Sequence, residues 1–121
     1  GGAAPAPSSP SPEADGRIKF AEYEGGGFER YKDATAWIFA GKACPNCETL
    51  KREILPKLLD SESIDKAEIV LVDIDKKENF MLMVDLEEKT GDKGDKTPVL
   101  FWKNKLFHGN EKIKELIGGR Q

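Results

Sequence analysis

Cys44 and Cys47 are the residues of this chain whose type and spacing point most directly to chemistry. They are the only two cysteines in 121 residues, so they cannot build the multi-bridge framework of a small secreted scaffold. A C-x-x-C pair leaves three local possibilities: a redox dithiol, a metal or copper-carrier site, or a pair of core thiols in a fold with no enzymatic role. Zinc lacks ligands here, because four donors are normally required and His108 is the sole histidine. The neighbouring elements favour the redox dithiol.

Upstream of the pair, Ala34 to Ala40 (A-T-A-W-I-F-A) is a short apolar run with two aromatic residues and one β-branched aliphatic residue, closed by Gly41. It predicts a buried central strand. Downstream, Leu50, Ile54 and Leu58 recur every fourth residue, with charged residues on the opposite side. This spacing predicts an amphipathic helix over 45–60, kinked near its last turn by Pro56, which lacks a backbone donor. Glu68 to Asp73 (E-I-V-L-V-D) then predicts a second buried strand, and strand, helix, strand at this spacing forms a right-handed parallel crossover.

The dithiol therefore falls at the first strand-to-helix turn. At the start of the helix, Cys44 meets unpaired backbone donors and the positive end of the macrodipole, which favour a thiolate. Pro45 suits the first helical position, where a missing donor costs nothing, and Asn46 follows it. Cys47 opens the series Leu50, Ile54, Leu58 and is expected to point inward. A partly exposed Cys44 above a shielded Cys47 would attack first and be resolved from within. Lys42 is either a charge that favours the Cys44 thiolate or an ordinary solvated lysine.

Beyond Asp73-Ile74-Asp75, a second helix is expected over 78–90, although its five consecutive apolar residues, Phe80 to Val84, also fit a strand. Thr97-Pro98 opens a strand from Val99 to Lys103, Asn104-Lys105 makes a tight turn into Leu106 to His108, and a last helix starts near Asn110, read as its N-cap. Trp37 and Trp102 are read as core, and His108 as a surface residue at a strand end. Arg17 to Glu24 alternates as a possible edge strand, broken from the next segment by Gly25-Gly26-Gly27.

Basic and acidic residues number 19 and 22 and alternate closely. No block of positive potential invites nucleic acid or anionic lipid, and the apolar runs are far shorter than the roughly 20 residues of a membrane-spanning helix. Residues 1–16, rich in Ala, Pro and Ser, are expected to form a flexible tether before a single domain over 17–121. Spacers of this kind often precede exported domains, which favours a periplasmic over a cytoplasmic setting.

Three segments together resemble the thioredoxin and glutaredoxin superfamily: Cys44-Pro45-Asn46-Cys47 after a strand, Val72-Asp73-Ile74-Asp75-Lys76 closing the next, and Thr97-Pro98-Val99-Leu100-Phe101-Trp102-Lys103-Asn104. The resemblance spans about Thr35 to Gly118. It implies an α/β/α sandwich around a mixed four-stranded sheet, with a possible fifth edge strand and about three helices. It also implies that Pro98 is a cis-proline facing the dithiol and that Thr97 offers its backbone to an extended substrate segment. Ala43 and Ile38 stand where thioredoxins carry a Trp and a buried Asp, and Gly109-Asn110-Glu111 matches a glutaredoxin glutathione cradle in part. The polar loop from Gly91 to Lys96 replaces a short apolar link and is placed to shape a specific protein partner.

The expected activity is thiol-disulfide exchange with protein disulfides, by a monomer with no bound cofactor or metal, using an electron donor or acceptor that the residues do not identify. The alternatives are a glutathione-dependent activity and a non-enzymatic module that binds a partner or carries copper.

Overall fold

The structure is a computed structural model that describes residues 15–118. Its elements in chain order are β1 (Ile18–Glu22), α1 (Gly27–Arg30), β2 (Ala36–Ala40), a long helix α2 over 45–62, β3 (Ala67–Asp73), α3 (Lys77–Thr90), β4 (Val99–Trp102), β5 (Lys105–His108) and α4 (Asn110–Lys114). The strands form one mixed sheet in the order β1-β3-β2-β4-β5, with β3 parallel to β1 and β2, and β4 antiparallel to β2 and β5. Among the described residues no helix is long and apolar enough to cross a membrane.

The sheet has five strands, not four, because the alternation of Ile18 and Phe20 does form an edge strand, paired from Ile18 opposite Ala67 to Glu22 opposite Leu71. Among the described residues four helices flank it rather than about three. The extra one, α1, is a single turn after β1; Gly25, Gly26 and Gly27 precede or open it at φ of 95°, 92° and 71°, a region glycine enters without steric cost. This turn is held by aromatic contacts: Phe28 and Tyr31 lie 4.5 and 5.5 Å from the Trp37 ring, edge-on.

Strand β2 is central, and Ala36 to Phe39 are all buried because both faces of the sheet are covered. Alternate side chains divide between two cores. Ala36, Ile38, Ile69 and Leu100 meet Leu50, Leu55 and Leu58 of α2 on one face. Trp37, Phe39, Val70 and Val99 meet Met83 and Leu86 of α3 on the other. Trp37 and Trp102 are both core residues, each 5% exposed. The run Phe80 to Val84 is helical, and its helical turn splits the run: Met83 is buried while Phe80 and Met81 face solvent.

Helix α2 runs to Glu62, beyond the expected end at Asp60, and its irregularity precedes Pro56. An α-helical turn, Pro45–Thr49, passes through a π-helical turn, Leu50–Ile54, into α-helix again over Leu55–Glu62. Leu55 N–H bonds to Leu50 C=O, five residues back instead of four. Pro56 cannot donate to the carbonyl four residues before it, and its ring crowds that carbonyl; the wide turn lies immediately before this site. The helix closes at Ser63, in a left-handed conformation at φ 56°.

The β4–β5 turn sits one residue earlier than expected. Lys103 and Asn104 take φ of 53° and 65°, the two positive values of the tight hairpin turn whose twist matches its strands, and Lys105 already belongs to β5. At the other end, most of the expected tether lies outside the described residues. Its last residues do not behave as tether: the Asp15 carboxylate accepts the Arg17 backbone N–H at 2.9 Å and its guanidinium at 3.0 Å. Arg17 also reaches Asp60 on α2 at 2.7 Å.

Candidate active site

Cys44 and Cys47 form a disulfide, with Cα atoms 5.5 Å apart, where the chain leaves β2 and enters α2. Cys44 is the N-cap residue, in a non-helical conformation, and Pro45 is the first helical residue. The Cys47 backbone N–H donates to the Cys44 carbonyl at 3.1 Å. Cys47 is buried at 9% exposure, beside Leu50 and Ile54 on the inward face, while Cys44 is half-buried. The helix start thus places one sulfur at the surface and the other beneath it.

The loop carrying Cys44 is tied to the neighbouring β3–α3 turn. Ile74 N–H donates to Ala40 C=O at 3.1 Å. Asp75 Oδ2 accepts Lys42 N–H at 3.0 Å, and the same carboxylate lies so close to Gly41 that a Cβ there would stand 2.7 Å from Oδ1. Asp75 N–H in turn donates to Asp73 Oδ1 at 2.9 Å. These carboxylates come from the Asp73-Ile74-Asp75 segment that ends β3, so the signal was present in the sequence; what each would bind was not.

A second tie comes from α4. Asn110 is not the N-cap of that helix: Gly109 is, at φ 90° and ψ 156°, a conformation that favours glycine. Asn110 instead sends Nδ2 across to the Asn46 carbonyl inside the C-x-x-C segment, at 3.1 Å. Its Oδ1 is buried without a hydrogen-bond partner.

A cleft of about 350 Å³ opens beside the disulfide, lined by Cys44, Cys47 and Lys42 together with Ile38, Glu22 and Lys51. Lys42 is exposed, and water screens the field such a charge exerts. Lys51 is less open, its side chain 18% exposed, with Nζ 3.9 Å from Glu48 and 5.8 Å above the Phe20 ring. Among the described residues no group of three or more His, Cys, Asp or Glu could hold a metal ion.

Thr97 and Pro98 do not line this cleft. The peptide bond between them is cis. Val99 pairs with Phe39, which sets Pro98 beside the C-terminal end of β2, the strand end from which the Cys44 loop emerges. Pro98 is buried and Thr97 exposed. The Pro98 carbonyl accepts Gly109 N–H at 2.8 Å. His108 is not the surface residue its strand-end position suggests: its side chain is 9% exposed and Nε2 meets Glu87 Oε2 at 2.9 Å.

Compared with protein-family models, with curated proteins and with solved structures, the chain matches none. A C-x-x-C disulfide on a mixed α/β sheet is compatible with a thioredoxin-like fold.

Proposed function

We propose that this chain is a thioredoxin-like thiol-disulfide oxidoreductase acting on protein disulfides through Cys44 and Cys47. The observation that carries the reading is the disulfide itself: a half-exposed Cys44 at the start of a helix, bonded to a buried Cys47. In the reduced protein, helix-terminal donors and the helix dipole favour the Cys44 thiolate. That thiolate attacks one sulfur of a substrate disulfide and expels the other as a thiolate, leaving a mixed disulfide on Cys44. The Cys47 thiol then loses its proton and attacks Cys44 Sγ. The intramolecular disulfide forms, the second substrate sulfur departs as a thiolate, and two electrons have passed to the substrate. Run backwards, the same steps oxidise a substrate dithiol.

Thr97 and Pro98, beside the end of β2, are the residues positioned to receive an extended substrate segment. No bound cofactor takes part, since the dithiol itself carries the electrons; a second protein or small-molecule thiol must restore it.

The test is the equilibrium reduction potential of the pair in graded dithiol buffers, read by alkylation of free thiols. A reversible couple between about −200 and −270 mV marks a reductant or general exchanger, and one near about −120 mV an oxidant. Cys47→Ser should trap a mixed disulfide on Cys44. Absence of any reversible disulfide sinks the proposal, and one Cu(I) bound per reduced dithiol without exchange would put a copper carrier in its place.

A further inference from the structure

The segment between α3 and β4, residues 91–98, has no regular structure, yet it must deliver Thr97 and Pro98 to one place beside β2. Ordering each such residue costs roughly 1–2 kcal/mol of backbone entropy, so the segment requires anchors. At the α3 end, Asp92 N–H donates to Thr90 Oγ1 at 3.1 Å and Lys93 Nζ lies 3.2 Å from Glu88 Oε2; the other anchors lie on or next to β5. Asp92 Oδ2 accepts Leu106 N–H at 3.1 Å. The backbone at Gly94 rests on the His108 ring so closely that a Cβ would come within 2.6 Å of its Cγ. Lys96 packs its side chain under Gly109, 3.0 Å from where a Cβ would be.

His108 joins these contacts to the helix before the segment. Its Nε2 meets Glu87 Oε2 of the last turn of α3 at 2.9 Å, with the two side chains only 9% and 15% exposed. Strand pairing puts His108 opposite Val99, and the next residue, Gly109, donates its N–H to the Pro98 carbonyl. One imidazole therefore braces the end of α3, the middle of the connecting segment and the strand beside Pro98.

We propose that the His108–Glu87 pair is a latch that sets the Thr97–Pro98 ledge, making both positioning residues for protein disulfides; this rests on the exchange activity proposed above. A buried hydrogen bond from imidazole to carboxylate is stronger than one between neutral groups in water. The flat ring gives Gly94 a surface that a bulkier residue at 94 could not approach. A protein substrate that lies along Thr97 depends on this ledge. A small disulfide, which needs only the Cys44 sulfur, does not.

The experiment compares insulin and hydroxyethyl disulfide as substrates of the full chain, with dithiothreitol as reductant, for wild type, Glu87→Ala, Glu87→Gln and His108→Phe. The last keeps a flat ring under Gly94 but cannot bond to Glu87. Expected are a rise of about tenfold or more in KM for insulin in Glu87→Ala and His108→Phe, as for loss of one charge-assisted hydrogen bond, with kcat, the hydroxyethyl disulfide rate and the reduction potential unchanged. Glu87→Gln, which keeps a hydrogen-bonding group in place, should recover most of the insulin KM. Equal losses on both substrates, or folded variants with unchanged KM for insulin, overturn the proposal. If wild type exchanges with neither substrate, the exchange activity has failed instead. Amide exchange then judges the latch, because residues 92–97 must exchange faster in Glu87→Ala and His108→Phe than in wild type, and equal rates refute it.

Discussion

Adding one methyl group to Gly41 tests whether the Cys44 loop is held by Asp75. A Cβ at Gly41 would stand 2.7 Å from Asp75 Oδ1 and 3.3 Å from its Cγ. The Gly41 backbone is outside the left-handed region, so the collision, not the backbone, is what alanine must overcome. The carboxylate can turn away, but turning breaks its 3.0 Å bond from Lys42 N–H. Hydrogen bonds to charged groups contribute about 1.5–3 kcal/mol. Lys42 and Asp75 are both exposed, so water replaces the lost partner and the cost falls to about 1 kcal/mol. Against this, alanine restricts the unfolded chain and stabilises by about 0.4–1 kcal/mol where it fits. Gly41→Ala alone should therefore be neutral or slightly destabilising. In an Asp75→Ala background the collision is gone, and the same change should stabilise by about 0.4–1 kcal/mol. The quantity to measure is the coupling, about 1 kcal/mol, from a double-mutant cycle of urea unfolding on the oxidised protein followed by fluorescence of the buried Trp37 and Trp102. It corresponds to about 4 °C in Tm for a domain of this size. Additivity within about 0.3 kcal/mol would refute the clamp.

The Asp15 carboxyl is held below its usual range, first by the Arg17 side chain and then by the Arg17 backbone N–H. A depressed folded-state value stabilises above the unfolded value of about 3.9 and loses that effect as pH falls through the folded value. Asp15→Asn should thus lower the urea midpoint slightly near neutral pH, with the gap to wild type closing below about pH 4; a constant gap across that window contradicts the pairing. In the β4–β5 turn, Asn104 at φ 65° should tolerate glycine and resist alanine, which loses about 1 kcal/mol in a left-handed conformation. Equal unfolding midpoints for Asn104→Gly and Asn104→Ala would show that the turn does not hold this geometry.

Features within reach of a local pattern were legible in the residues alone. The repeat Cys47, Leu50, Ile54, Leu58 fixes one face of α2, so the inward turn of Cys47 and the outward place of Cys44 follow from helical geometry. Short apolar runs bounded by breakers located β2, β3 and β4, and Pro45 marked the first turn of α2. Even here the local signal underdetermines detail. The π turn before Pro56 and the hairpin turn at Lys103 and Asn104 depend on which hydrogen bonds the packed chain retains.

Tertiary structure alone decided what lies beside what. Ile18 and Phe20 alternate as an edge strand should, but nothing local says that the strand runs parallel to β3 across some 49 positions. Asn110 reads as a helix cap from its neighbours, yet in the fold it bonds Asn46, 64 positions away. His108 reads as a strand-end surface residue until Glu87, 21 positions earlier, is folded against it. Periodicity reports which face a residue presents, because one element's geometry sets it. The partner waiting on that face is set by how several elements pack, and a single sequence does not record that.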